Sequence, residues 1–186
     1  MKLGIDRDSL VLGVFGGAHV SRRLDWIAAT LAEAKQRRPD RRTSLLYVGP
    51  EGEAMQRALG SGELIDCGPL PSSEVGARLR AMDAAISPFV DGISTRRGSM
   101  MALLQHGIPI ATTQTPWTDT LLRTSSLSRL LLSSAKSPEA FAAETVDWLD
   151  RLPRGGVPDG ELMNFHSKNF SWKAIAETMV TRLPGK

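Results

Sequence analysis

Short apolar runs of β type alternate along this chain with longer stretches of helical period, and that alternation admits little besides a parallel sheet covered by helices on both faces. Leu10 to Phe15, LVLGVF, is apolar almost throughout, as a strand buried on both faces must be. The helix expected after it sets Leu24, Ile27, Ala28, Leu31 and Ala34 at intervals of three and four. They form one stripe to lie on the sheet, with Arg23, Glu33 and Gln36 on the polar side. Thr43 to Val48 reads as the second strand, ended by Gly49-Pro50. Glu51 to Leu59 reads as a short helix with acids in its first turn, where the helix dipole favours them.

The same reading continues downstream. Glu63 to Cys67 is the third strand, Gly68-Pro69 a turn, and PSSEVGARLRAM a helix with serines for its cap. Asp83 to Ser87 is the fourth strand, Pro88 to Ile93 a loop, and Ser94 to His106 a helix closed by Gly107. Ile108 to Thr112 and Arg129 to Ser133 supply the fifth and sixth strands. Ser137-Pro138-Glu139 is a cap with proline at the first helical position, which predicts a helix from Pro138 to Leu152. Pro153 to Gly160 is a Gly- and Pro-rich loop, and a last helix runs from Ser171 to Leu183. The expected architecture is a Rossmann-like, doubly wound parallel sheet of six strands with helices on both faces. It is one domain over residues 1–186, with residues 153–186 as a loop-and-helix extension.

Composition narrows the function classes. Hydrophobic residues at 41% and charged residues at 23% of 186 exclude disordered and coiled-coil chains. Cys67 is the one cysteine, which excludes an intrachain disulfide framework and fits a reducing compartment. The charged start, with Lys2, Asp6, Arg7 and Asp8, is no secretion signal. The best apolar run falls far short of the roughly 20 residues that span a bilayer, so a cytoplasmic location is expected. Arg37, Arg38, Arg41 and Arg42 could meet phosphate or anionic lipid, or could be a helix end stopped by Pro39. No aromatic interleaving accompanies them, so nucleic acid is not an expected partner. His19, His106 and His166 stand apart from other ligand-type residues, which gives no metal site. No G-x-S-x-G elbow is present.

In a doubly wound sheet, ligands bind beyond the carboxyl ends of the strands, beside the switch point. The first strand exits into GGAHVSRR, where Gly16 and Gly17 permit close backbone approach, His19 offers a donor, and Arg22 and Arg23 offer charge to a phosphate. The same pair of glycines also fits a plain tight turn. It is not the dinucleotide fingerprint, since a third glycine is missing and the second strand ends in Val48-Gly49-Pro50 with no acid read after it. The fourth strand exits into PFVDGISTRRGSMMALLQHGIPI. There Arg96 and Arg97 fall in a helix first turn, against the dipole preference. An anion held by the N–H groups of residues 93–96 and an arginine fork would resolve that conflict. Otherwise both arginines point to solvent and Ser94 is merely the cap.

Taken in order, LGIDRDSLVLGVFGG, LLYVGP, IDCGPLPSSEVGARLRAMDAAISPFVDG, LLQHGIPIATT and FSWKAIAETMV resemble the C-terminal, nucleotide-sugar-binding half of GT-B fold glycosyltransferases, especially the group 1 family. The resemblance implies donor-diphosphate contacts at Gly16, Gly17 and Arg22, and a base-proximal turn at Gly68, Pro69 and Leu70. It implies a loop around the donor sugar and phosphates at Asp91, Gly92, Ile93, Ser94 and Thr95, with Arg96 or Arg97 compensating for a missing arginine near Gly17. Two glutamates usual in the family fall on Ser94 and Ala102 here; Asp91 could replace the first, and nothing replaces the second, which usually holds the ribose. The implied function is binding of a nucleoside diphosphate sugar for transfer to an unknown acceptor, with no cofactor besides that substrate. A GT-B active site lies between two such domains, so the chain is expected to be inactive without an N-terminal acceptor-binding domain. Peripheral membrane association of the full enzyme stays open. The alternatives are a non-catalytic interaction module that keeps the fold without donor binding and, less favoured, an enzyme such as a sugar-nucleotide epimerase.

Overall fold

The computed structural model describes residues 4–6, 8–60, 63–153 and 157–182. Six parallel strands run in the order β3-β2-β1-β4-β5-β6: β1 Leu10–Phe15, β2 Thr43–Val48, β3 Leu64–Asp66, β4 Ala84–Ser87, β5 Ile110–Thr113 and β6 Leu130–Ser133. The chain reverses its direction of winding between β1 and β4, which is the switch point. β1 and β2 pair without interruption from Leu10 opposite Thr43 to Phe15 opposite Val48.

Alternation along the strands shows why both faces are covered. Leu10, Leu12 and Val14 of β1, with Leu45 and Tyr47 of β2, enter one core with Trp26, Ile27, Leu31 and Phe141. Val11, Leu46 and Val48 enter the other with Leu79, Met100, Leu103, Leu104 and Leu162. A strand with apolar side chains on both faces needs a helical layer on each. The first layer holds α1 (Leu24–Arg37) and α6 (Pro138–Leu149), joined where the rings of Trp26 and Phe141 meet at 5.3 Å. α2 (Gly52–Leu59) packs beside α1. The second layer includes α3 (Ser72–Leu79), α4 (Gly98–Gln105), the single turn α5 (Thr120–Arg123) and α7 (Gly160–Phe170), and α8 (Trp172–Arg182) packs on α7.

Several expectations meet corrections. The helix read from Ser94 begins at Gly98, because a carboxylate from elsewhere in the chain takes the Thr95 N–H. The helix read to Leu152 stops at Leu149, although its start is as expected, with the Ser137 hydroxyl accepting the Ala140 N–H at 3.2 Å. The stretch before Ser171 holds an unforeseen helix, α7, capped by Asp159, whose carboxylate accepts the Leu162 N–H at 2.8 Å. Residues 154–156 of the expected loop and Leu183 at the expected end of the last helix lie outside the described residues.

The arginine cluster is absorbed by the fold. Arg37 bonds Glu33 and Asp147, Arg38 bonds Asp150, and Arg42 bonds Glu63. Arg41 donates to the Asp8 and Ser9 carbonyls. These contacts clamp the end of α1 to α6 and to the sheet edge. No helix among the described residues is long and apolar enough to cross a membrane, and no cluster of ligand-type side chains among them could hold a metal.

Gly107 closes α4 at φ 66°, and a Cβ there would stand 2.6 Å from the Asp159 N at the start of α7. Left-handed backbone costs a non-glycine residue about 1–3 kcal/mol, before any clash. Gly107→Ala is therefore expected to lower the urea midpoint by at least that equivalent, without changing the slope.

His106, ending α4, and His166 on α7 are both held below the ordinary imidazole value of 6.5, His106 by burial and the charge of Arg80, His166 by burial and His106. The unfolded chain therefore takes up these protons first, and stability falls as pH drops below about 6.5. Unfolding scans between pH 8 and 5 are expected to show this slope, reduced in His106→Asn.

Candidate functional site

The two loops that flank the switch point are tied together. The isolated bridge between Arg22 and Phe89 joins the segment after β1 to the segment after β4. Val90 N–H donates to the Ser21 carbonyl at 2.8 Å, and Arg23 N–H to the Pro88 carbonyl at 3.1 Å. Gly16 turns at φ 92°, and a Cβ on it would lie 3.1 Å from Ser99 Cβ in the first turn of α4. Residues 16–22 and 89–99 thus form one wall.

Arg22 is the centre of that wall. The side chain is 5% exposed; Nε donates to the Gly17 carbonyl and Nη2 to the Phe15 carbonyl, each at 2.9 Å. Its Cζ stands 4.7 Å from the Phe89 ring centroid, and Nη1 is buried with no hydrogen-bond partner among the described residues. Burial lowers its pKa to about 10, with Arg97 acting the same way and Tyr47 and Glu51 opposing. The group remains cationic at neutral pH.

Arg97 lies over the same ring, 3.8 Å from Cζ to centroid, with Nη2 on Asp91 Oδ1 at 2.5 Å and Nη1 near Ser21 Oγ at 3.5 Å. Its Nε is likewise buried without a partner among the described residues. Two guanidinium groups share one aromatic ring. As the N-cap of α4, Arg97 has no capping side-chain bond, so that eight-residue helix starts uncapped beside the glycine loop.

Not every expected contact is available to a ligand. Asp119 Oδ2 accepts the Thr95 N–H and the Thr95 hydroxyl, each at 2.5 Å, and the Ser94 hydroxyl at 3.3 Å. The amide expected to hold phosphate thus already holds a carboxylate. The Thr95 hydroxyl first, then its N–H, Ser94 and the charge of Arg96, keep Asp119 below the ordinary carboxylate value, against the cost of burial. Ile93 is fully buried, so its side chain belongs to the core. Arg96 is exposed and reaches Ser94 Oγ at 3.4 Å. Asp91 pairs with Arg97, and Gly92, at φ 75°, packs under Thr115 and Thr118. His19 is exposed and shares Nδ1 with Ser21.

Glu51 was missed in the sequence. It follows β2 by three residues and reaches back, so that Oε2 accepts the Ala18 N–H at 3.0 Å and the Tyr47 hydroxyl at 3.3 Å. An acid does stand beyond the second strand, and a Cβ on Gly17 would press on it at 3.2 Å. Next to it, the turn Gly68-Pro69-Leu70 is tied in by the Gly49 N–H on the Gly68 carbonyl at 3.1 Å. A groove of about 850 Å³ opens at the opposite end of the sheet among Asp6, Arg38, Arg41, Arg42 and Asp83, but its arginines bond carboxylates and carbonyls there.

No protein-family model matches the sequence, nor does any curated protein. Solved structures do match in shape. The pneumococcal O-GlcNAc transferase GtfA, in complex with UDP and GlcNAc, superposes at a TM-score of 0.65 with 12% identity, over 94% of this chain and 35% of GtfA. S. aureus TarM superposes at 0.63 with 10% identity, over 96% of this chain and 36% of its own. OtsA in its apo form superposes at 0.68 with 10% identity, over the whole of this chain and 45% of its own. The fold is that of one half of a GT-B glycosyltransferase. The chain spans about a third to a half of these proteins.

Replacing Asp119 with alanine leaves the Thr95 N–H and two hydroxyls without their acceptor, a loss of about 1–3 kcal/mol. Asp119→Ala is expected to lower the melting temperature and to speed hydrogen exchange at residues 94–97. The native contribution of Asp119 is present above the ordinary carboxylate range and is lost as pH falls through its lowered value.

Proposed function

We propose that this chain is the donor-binding half of a glycosyltransferase, seating a nucleoside diphosphate sugar beyond the carboxyl ends of β1 and β4. The observation that carries the reading is the buried Arg22 guanidinium with its orphaned Nη1, set beside the uncapped start of α4. An anion seated there would answer a cation held out of water, and the N–H dipoles and guanidinium groups would stabilise negative charge on the leaving diphosphate as the glycosidic bond breaks. The protein supplies no covalent nucleophile in this account. GtfA and TarM were both solved with UDP, which supports a nucleotide as the ligand class.

Transfer would need an acceptor-binding domain opposite this rim. α8 presents Trp172 at 88%, Met179 at 65% and Val180 at 70% exposure, an apolar strip suited to being covered. Against donor binding stands Asp119, whose carboxylate occupies an amide a phosphate could use, and this favours a fold kept as an interaction module.

Calorimetric titration with UDP, GDP, ADP and their sugars separates the two readings. Binding of one series at micromolar to millimolar affinity is expected, and no heat from any of them overturns the donor reading. Arg22→Ala and Arg97→Ala should each weaken binding by about 1.5–3 kcal/mol, or roughly 10- to 150-fold. Arg96→Ala should change it little, because that side chain lies out in solvent.

A further inference from the structure

We propose that Glu51 is the acceptor for the ribose hydroxyls of the nucleotide, and so the residue by which the site selects a ribonucleoside. This inference rests on the donor-binding reading above. A nucleoside lying between the diphosphate wall and the Gly68-Pro69-Leu70 turn would present its diol to an acceptor there, and a carboxylate is the strongest one. α4, with the sequence GSMMALLQ, supplies none.

Placement singles out Glu51 among the carboxylates of this rim. Asp91 and Asp119 stand on the β4–β5 side, the first paired with Arg97 and the second committed to Ser94 and Thr95. Asp66 is exposed but committed locally, with Oδ1 accepting the Gly68 N–H at 2.8 Å and Oδ2 lying against Gly52. Glu51 lies between the glycine loop and the β3 exit, with Ala18 on one side and the tied pair Gly49 and Gly68 on the other.

Its bonding also differs. Glu51 is the N-cap residue of α2, yet its side chain makes no cap bond to that helix. It turns instead to the glycine loop, where Oε2 meets two neutral donors, and the Tyr47 hydroxyl that donates to it also accepts the Glu51 N–H at 3.2 Å. Tyr47 is fully buried, so the phenol is a fixed post. The carboxylate is thereby oriented by neutral donors: it forms no ion pair with an arginine or lysine among the described residues, Arg22 feeling its charge only at longer range, and Oε1 accepts no hydrogen bond from them. An exposed, oriented carboxylate oxygen suits a vicinal diol, whose two O–H groups donate and carry no charge. In open α/β sheets an acid beyond the second strand serves this purpose for bound dinucleotides.

The test compares ligands within each protein. For whichever nucleoside diphosphate binds best, its 2′-deoxy and 3′-deoxy forms and inorganic pyrophosphate are titrated into the intact chain, into Glu51→Gln and into Tyr47→Phe. The wild type is expected to prefer the ribonucleotide at least tenfold over one deoxy form. Glu51→Gln should lose most of that preference, Tyr47→Phe part of it, and pyrophosphate affinity should stay within about twofold. Because the readout is a ratio inside one preparation, a partly unfolded variant does not mimic the result. An unchanged ratio in Glu51→Gln, or no ribose preference in a wild type that binds pyrophosphate, overturns the role of Glu51 and leaves the diphosphate reading standing. No binding of any nucleotide or of pyrophosphate overturns both.

Discussion

A guanidinium with almost no access to water joins the two halves of this sheet at their switch point. Arg22 crosses from the segment after β1 to Phe89 after β4, and it holds the Phe15 and Gly17 carbonyls on its way. Putting a cation there is costly: burial, helped by the charge of Arg97 and opposed by Tyr47 and Glu51, leaves its pKa at about 10. Two carbonyls, an aromatic face and a distant carboxylate offset only part of that cost. The fold keeps a positive charge where the backbone turns and where α4 begins, so the group that joins the two loops is also the one an anion seated there would meet.

Two of the chain's own carboxylates shape what is left of this positive field. Asp119 takes the Thr95 N–H, and α4 starts only at Gly98, with its first turn beside Gly16. Glu51 holds the far side of the glycine loop through Ala18. The field is narrowed to the space between them, around Arg22, Arg97 and the first turn of α4. A site built this way has a polarity along the sheet, with carboxylate, then cation and amide, then carboxylate.

The sheet was legible in the sequence because central parallel strands must be apolar on both faces, and LVLGVF and TSLLYV have that character. Ser137-Pro138 marked its helix through chemistry acting within a few residues. What could not be read depended on partners far along the chain. Ser94 looked like a cap, but Asp119 competes for the next residue's N–H across 24 positions. α7 was hidden because Gly160 at its start has the composition of a loop, although Asp159-Gly-Glu carried a cap signal. The two arginines after the fourth strand looked alike, and Phe89 distinguishes them by drawing Arg97 inward while Arg96 stays outside. Glu51 looked like an ordinary helix-start acid, and its reach to Ala18 exists only once β1 and β2 lie side by side.

The borders of the sheet carry a consequence for assembly. β3 is three residues long and β6 four, so each lateral margin offers another polypeptide very few free main-chain groups on which to align. Growth of the sheet by an added strand is thereby discouraged. A companion that joins this molecule is left the helical surfaces and the loops at the strand ends on which to meet it.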